Sequence, residues 1–311
     1  MKQIVTVTLN PAIDKTITVD RLTVAGLNRI KHVRMDPGGK GINVAKVLVQ
    51  FGASAVAWGF QAGVEGRVLM QMLDDLNIHS RFFQTAGNVR TNLKVVDEAT
   101  KQTTELNEIG QQPSDSVVQD FIRAFEAEMK ATSLLVLGGS LPPGLPQDFY
   151  RTLIVIAGKY GVRTILDADG EALAAGIEAR PFAIKPNLQE LEALVGKRLP
   201  TDEAIVHAAR SIHAQGIPCV VVSMGAEGAI VAMREGTFRA RPFPITPIST
   251  VGAGDSMVAA MAHCLAEGMP VEEMVRWMTA AGSITASKPG TEVCTLTEVS
   301  LKLDAVEVTH L

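Results

Sequence analysis

Six short apolar, largely β-branched runs, at 4–9, 55–60, 134–137, 164–166, 182–184 and 220–223, are separated by amphipathic stretches of helix length. This spacing restricts the fold more than any other feature of the chain. A strand that is apolar on both faces must be covered on both faces, and helical segments are what lie between these runs. The pattern therefore predicts α/β architecture, a doubly wound, mostly parallel sheet with helices on both sides. At 311 residues, with 47% hydrophobic and 20% charged, the chain can bury one large core and carry a small appendage.

Two segments depart from this rhythm, at about 15–36 and 90–110. Both hold alternating runs with polar partners, such as Thr16-Ile17-Thr18-Val19 and Asn92-Leu93-Lys94-Val95. Alternation implies one wet face, so these segments are expected to leave the core together as a small antiparallel sheet, a lid over a ligand cleft on a single domain spanning 1–311. From Gly252 onward the chain reads as helical to its end, with an apolar stripe at Val258, Met261, Ala262 and Leu265.

A formal charge of -4 gives no basic footprint for nucleic acid, so a small-molecule ligand is favoured. Cys219, Cys264 and Cys294 are far apart and contain no CxxC pair, which suits packed thiols in a reducing compartment. The stretch MKQIVTVTLNP alternates like a strand, without the layout of a signal peptide, and no apolar run reaches bilayer length. A soluble cytoplasmic protein without a membrane partner is the expectation.

The strongest chemical signal is Ser249-Thr250-Val251-Gly252-Ala253-Gly254-Asp255-Ser256, directly before a helical stripe. Its glycines let the backbone turn so that the amides of Gly252, Ala253 and Gly254 converge at the positive end of the helix as an anion hole. Asp255 there can accept a proton from a substrate hydroxyl while the amides hold a phosphoryl group. The competing reading is a glycine turn with Asp255 as a cap. In Pro37-Gly38-Gly39-Lys40-Gly41-Ile42-Asn43, Gly39 and Asn43 can meet a hydroxylated ligand, or the glycines can simply pack a helix end against a strand. It is not a Walker loop, because Arg34 and Gly41 occupy positions that need Gly and Ser or Thr.

Asp14, just past the first strand, is a candidate acceptor for sugar hydroxyls or a turn residue. Asn187 and Glu190 share a helix face after Lys185 and also fit a capping box; functionally, Glu190 would hold Mg²⁺ through water, with Lys185 and Asn187 near phosphates. Ser223, Gly225 and Gly228 offer a resting place for a nucleoside, or an ordinary hairpin turn. Arg29 and Arg90 from the lid, with Ser140 from the end of a core strand, would make a phosphate pocket. No HExxH, GxSxG or complete GxGxxG after a strand is present.

Taken in order, NPAID, GGKGINVA, GSLPPG, KPNxxEL, SxGxxG and STVGAGDS resemble the ribokinase-like, phosphofructokinase-B type carbohydrate kinases, over about 4–286. The branch is that of 1-phosphofructokinases, tagatose-6-phosphate kinases and minor-type 6-phosphofructokinases. Six spaced motifs in one order are far more specific than any one of them. The resemblance implies Mg²⁺ and ATP, a β lid and a homodimer formed through the lids. It makes Asp255 the base, with Gly252, Ala253 and Gly254 as the anion hole. Asp14, Gly39 and Asn43 become sugar contacts, and Arg29, Arg90 and Ser140 the site of the phosphate already on the substrate. Lys185, Asn187, Glu190, Ser223, Gly225 and Gly228 fall on the nucleotide and metal side. K⁺, bound by some members, would involve carbonyls near Ser249, Val251 and Gly290, where Lys288 and Glu292 depart from the pattern.

Within the branch, Gly26-Leu27-Asn28-Arg29 and Lys40 resemble 1-phosphofructokinases and tagatose-6-phosphate kinases, whereas 272–276 and 280–283 resemble the 6-phosphofructokinases. Val89, before Arg90, departs from both. Fructose 1-phosphate is the expected substrate, with fructose 6-phosphate or tagatose 6-phosphate as the alternatives. A catalytically silent sugar-phosphate sensor is the reading of another class, and the intact GAGD and NxxE argue against it.

Overall fold

Each of the six apolar runs forms a strand of one ten-stranded sheet. The structure, a computed structural model, describes residues 3–311; Met1 and Lys2 of the expected N-terminal strand lie outside the described residues. In chain order the elements are β1 Gln3–Thr8, β2 Ala12–Val19, β3 Ile30–Gly38, α1 Lys40–Gln50, β4 Ala55–Ala62, α2 Gly63–Asp75, β5 His79–Thr85, β6 Arg90–Asp97, β7 Thr103–Asn107, α3 Asp115–Glu128 and β8 Thr132–Gly138. They continue with α4 Phe149–Lys159, β9 Arg163–Asp167, α5 Gly170–Glu178, β10 Ala183–Ile184, α6 Leu188–Val195, α7 Asp202–His213, β11 Cys219–Ser223, β12 Ala229–Met233, β13 Gly236–Arg241, α8 Ala253–Glu267, α9 Val271–Ala286, α10 Leu296–Ser300 and β14 Glu307–His310.

The large sheet runs β14-β13-β12-β11-β10-β9-β8-β1-β4-β5. Pairing is parallel from β5 to β11 and antiparallel from β11 to β14. Successive side chains of a buried strand feed opposite layers. Val5 and Val7 of β1, with Leu135 and Leu137 of β8, join a core that includes Phe121, Phe125, Tyr150 and Ile205. Ile4, Leu134 and Val136 join the other core, with Val44 and Leu48 of α1, Val258 of α8 and Met278 of α9. Both faces are thus covered, which is why these strands carry no polar alternation.

The two alternating segments enter a separate four-stranded sheet of order β3-β2-β6-β7. It is mixed rather than antiparallel: β2 pairs antiparallel with β3 but parallel with β6. The chain passes through α1, β4, α2 and β5 between them and returns on the same side, a crossover that sequence alternation does not register. The expected helical C-terminus also needs correction. After α10 the chain ends in β14, antiparallel to β13 over Phe238↔His310 to Arg241↔Glu307. Four residues are too few to show a period, and here pairing at the sheet edge decides.

Candidate active site

The carboxyl ends of β1, β8 and β9 open on the edge where β2, β3 and β6 depart, the usual ligand position in such sheets. A cavity of about 280 Å³ lies there, lined by Thr8, Asn10, Asp14, Gly39, Lys40, Asn43, Arg90, Asn92, Gly139, Ser140 and Asp169. A larger hollow of about 540 Å³ beside α7 shares no lining residue with it.

Gly252 adopts a left-handed conformation (φ 78°) and starts α8, which places Asp255 in the first turn. The Asp255 carboxylate is buried and accepts a hydrogen bond from Asn43 Nδ2 at 2.8 Å. Burial, helped by nearby Asp167, pushes its pKa up to about 6, against the pull of Lys40, Asn43 and Lys185. The amides of Gly252 and Gly254 have no partner among the described residues, whereas that of Ala253 donates to the Thr250 carbonyl at 3.3 Å. A Cβ added to Gly254 would lie 3.3 Å from Lys185 Nζ, so the lysine sits directly over this turn.

The residues expected to meet a sugar converge as well. Asp14 Oδ1 accepts from Asn92 Nδ2 at 2.9 Å. Gly39 has φ 122°, and a Cβ there would come within 2.4 Å of Thr8 Cγ2, while one at Gly41 would meet the Val7 carbonyl at 2.5 Å. The glycines thus serve the packing of α1 against β1, which in turn delivers Asn43 to the cavity. Arg90 donates to the Asn10 carbonyl at 3.2 and 3.1 Å and to the Glu108 carbonyl at 3.2 Å, and has no carboxylate partner among the described residues. Asn10 Nδ2 reaches Ser140 Oγ at 3.4 Å.

Arg29 is not brought to this cluster. Ala12 is level with both Gly38 and Arg90, whereas Ile30, next to Arg29, is level with Val19 at the far end of β2. Seven strand residues separate the two levels by roughly 23 Å. Arg29 is exposed there and forms no ion pair among the described residues.

Asn187 and Glu190, expected beside a nucleotide, form the capping box of α6, each side chain bonding the other's backbone N–H at 2.8 Å. A β-bridge sets Asn187 beside Ser223. Gly225 begins a one-turn 3₁₀ helix facing open space, whereas a Cβ at Gly228 would lie 2.1 Å from the Ala240 carbonyl, so packing as well as its φ of 84° demands that glycine.

Sequence reasoning treated Lys40 only as a branch marker and missed Asp167, Asn92 and Asp169. Asp167, 2% exposed, takes Lys40 Nζ at 2.9 Å and Lys185 Nζ at 3.4 Å. Burial works against its charge, but the two lysines hold its pKa below the usual carboxylate range. Its signal was available: an acid at the carboxyl end of a core strand, the argument applied to Asp14.

Residues 7–298 match the family described as pfkB family carbohydrate kinase. The chain belongs to that family. It is therefore an ATP-dependent sugar phosphotransferase with an alcohol acceptor. It is similar to the 1-phosphofructokinase of Xanthomonas campestris pv. campestris, 40% identical over 283 residues and 89% of each protein. It is also similar to that of Haemophilus influenzae, 34% identical over 312 residues, covering 100% of this chain and 99% of the relative. Among solved structures, phosphofructokinase-2 from Escherichia coli in complex with potassium superposes with TM-score 0.91 at 35% identity, over 98% of this chain and 99% of the other.

Proposed function

We propose that this kinase phosphorylates fructose 1-phosphate to fructose 1,6-bisphosphate, with Asp255 as the catalytic base. The observation that carries the reading is the Asp255–Asn43 pair at the cavity: a buried carboxylate with its pKa near 6 beside an amide whose Oδ1 is buried without a partner. An orphaned buried acceptor costs about 1–3 kcal/mol, which a sugar hydroxyl donating to it would offset. Asn92 Oδ1, next to Asp14, is orphaned in the same way. Two unsatisfied amide oxygens on one cavity wall suit a polyol. The similarity to 1-phosphofructokinases favours fructose 1-phosphate as that polyol.

The acceptor hydroxyl gives its proton to Asp255, its oxygen bonds to the γ-phosphorus of ATP, and the bond to the β,γ-bridging oxygen breaks to release ADP. The free amides of Gly252 and Gly254, with that of Ala253 once it leaves Thr250, stabilise charge on the phosphoryl oxygens. Arg90, lacking a carboxylate, and Ser140 bind the phosphate already on the sugar. Lys185, Asn187, Ser223 and Gly225 line the nucleotide side, with Gly228 shaping that turn. Glu190 spends one carboxylate oxygen in the capping box and keeps the other, a donor set that fits Mg²⁺ held through water. When bound, Mg²⁺ supplies charge neutralisation for the phosphates.

K⁺ fits less well. The Gly290 carbonyl already takes the Ser249 hydroxyl at 2.8 Å, and the adjacent Thr291 carbonyl takes the Lys46 ammonium at 3.1 Å. No step depends on it. The small sheet acts as the lid of one domain spanning 1–311, and its bare outer end supports a homodimer through the lids that carries Arg29 to the partner's cavity. No helix among the described residues is long and apolar enough to cross a membrane, and three buried free cysteines suit a cytoplasmic setting.

The test is a coupled ADP-release assay with Mg²⁺ and ATP against fructose 1-phosphate, fructose 6-phosphate, tagatose 6-phosphate, free fructose and ribose. Fructose 1-phosphate is expected to give the highest kcat/KM. Preference for fructose 6-phosphate would move the chain to its sister activity, activity on free sugars alone would remove Arg90 from phosphate binding, and no turnover at all would favour the sensor.

A further inference from the structure

Asp169 stands at the N-cap of α5 with extended backbone (φ −125°, ψ 171°), the position from which a short acid normally accepts an amide of the first turn, yet its side chain makes no such bond. Among the described residues it has no ion-pair partner either. It is exposed and lines the cavity of about 280 Å³. A carboxylate that the fold does not use is thus open to a ligand.

Its place along the cavity follows from the sheet. β8 and β9 are parallel neighbours with Gly138 level with Asp167, and the Gly139 amide donates to the Asp167 carbonyl at 3.1 Å. Two residues past that level stand Ser140 and Asp169, at the ends of strands about 4.8 Å apart. The Tyr150 hydroxyl donates to the Gly138 and Gly139 carbonyls at 3.0 and 2.9 Å, and it feels the charge of Asp169 ahead of that of Asp167. Ser140 in turn meets Asn10 Nδ2, and Arg90 holds the Asn10 carbonyl. Asp169 therefore belongs to the end of the cavity proposed for the phosphate already on the sugar, whereas Asp255 and Asn43 mark the other end.

An ionised carboxylate only accepts hydrogen bonds, so beside a phosphate it is repulsive unless the sugar offers it a donor there. In the furanose ring of fructose 1-phosphate, the ring carbon next to the phosphate-bearing carbon is C2, which carries the anomeric hydroxyl. In fructose 6-phosphate and tagatose 6-phosphate it is C5, which carries only hydrogen. We propose that Asp169 is a specificity-determining residue that accepts a hydrogen bond from the C2 hydroxyl of fructose 1-phosphate and so selects it over the 6-phosphates. This rests on the fructose 1-phosphate reading above and deepens it to the group that tells the isomers apart. No proton is transferred at Asp169; the carboxylate rewards the correct isomer and repels the phosphate of the others.

The experiment compares full-length wild type and Asp169→Ala by kcat/KM with ATP and three acceptors: fructose 1-phosphate, fructose 6-phosphate and the 1-phosphate of 2,5-anhydromannitol, whose ring has hydrogen in place of the anomeric hydroxyl. Asp169→Ala should lower kcat/KM for fructose 1-phosphate about 10–100-fold and leave or raise that for fructose 6-phosphate. The wild type should favour fructose 1-phosphate over the anhydromannitol compound by a similar factor, whereas Asp169→Ala should treat the two alike within about threefold, the coupling that a double-mutant cycle reads. Because the side chain makes no bond within α5, the variant should fold as the wild type does. If the wild type prefers fructose 1-phosphate but its preference over the anhydromannitol compound survives in Asp169→Ala, or if the variant loses equally on all three acceptors, the assignment is overturned and the substrate reading stands. A wild type that prefers fructose 6-phosphate would overturn the substrate reading and this assignment with it.

Discussion

The α8 end of the cavity is buried and cross-linked through protein atoms, whereas the outer end of the small sheet is bare. Around Asp255, the carboxylate is tied to Asn43, and Asp167 is tied to Lys40 and Lys185. On the small sheet and its loops, Val24 is 89% exposed, Leu27 82% and Ile109 83%, with Ile30 and Val33 more than half exposed. The first region tunes a carboxylate by burial, which a single chain can do alone. The second leaves apolar area in water, which a single chain does not gain by doing. The contrast teaches that the cluster around Asp255 is assembled within the chain, while the outer end of the small sheet is left uncovered by it.

The sharpest way to break this contrast is at its buried end. Asp255→Asn should lower kcat by about 10³–10⁴-fold with little change in KM, since only the proton acceptor is lost. In the wild type, kcat/KM should fall below about pH 6 as Asp255 protonates. The same burial predicts a stability effect of defined sign. The folded carboxyl binds its proton more tightly than the unfolded one, so its contribution to stability falls as pH rises from about 4 to about 6. At pH 7 Asp255→Asn should consequently be more stable than wild type by on the order of 2 kcal/mol, measured as a higher Tm. An unchanged Tm would mean that the carboxylate is better solvated than its burial implies.

Next in size is Arg90→Ala. It should reduce kcat/KM for the sugar phosphate about 100-fold, mainly through KM, as expected for loss of a charge-assisted pair. Equal losses on free fructose would show that the guanidinium matters only for holding the Asn10 and Glu108 carbonyls.

The bare end is tested by Arg29→Ala, with an expected loss of about tenfold in kcat/KM for the sugar phosphate. Mixing Arg29→Ala with Asp255→Asn and allowing subunits to exchange should restore activity above the sum of the two. A mixed dimer with crossed lids contains one cavity with neither defect. No restoration would confine Arg29 to the surface of its own chain. The smallest expected effect belongs to Leu27→Asp, which should shift the proposed homodimer towards monomer in sedimentation without altering the far-ultraviolet circular dichroism.

Much of the fold was legible because burial on two faces leaves a mark along the chain, as β1, β4, β8 and β11 illustrate. β14 and the parallel pairing of β2 with β6 left none: both are matters of which backbone edge is nearby. The same division runs through the site. Asp255, Asn43 and Asp14 could be nominated because a glycine turn, a helix start and a strand end are local features with chemical consequences. The choice between their structural and functional readings was not local, and the structural ones are visible in the contacts. Gly39 packs α1 against β1 and thereby brings Asn43 to Asp255, and Asn187 and Glu190 cap α6.

The sequence by itself determined the layered sheet, the glycine turn and the acid at the start of α8, because hydrophobic period and turn chemistry are written in neighbouring residues. Only the tertiary structure decided that Lys40, Asp167 and Lys185 share one buried cluster and that Arg29 stands far from Arg90. Electrostatic coupling depends on distance through space, and residues 40, 167 and 185 are brought within hydrogen-bonding or ion-pair range only when α1, β9 and β10 meet at one sheet edge.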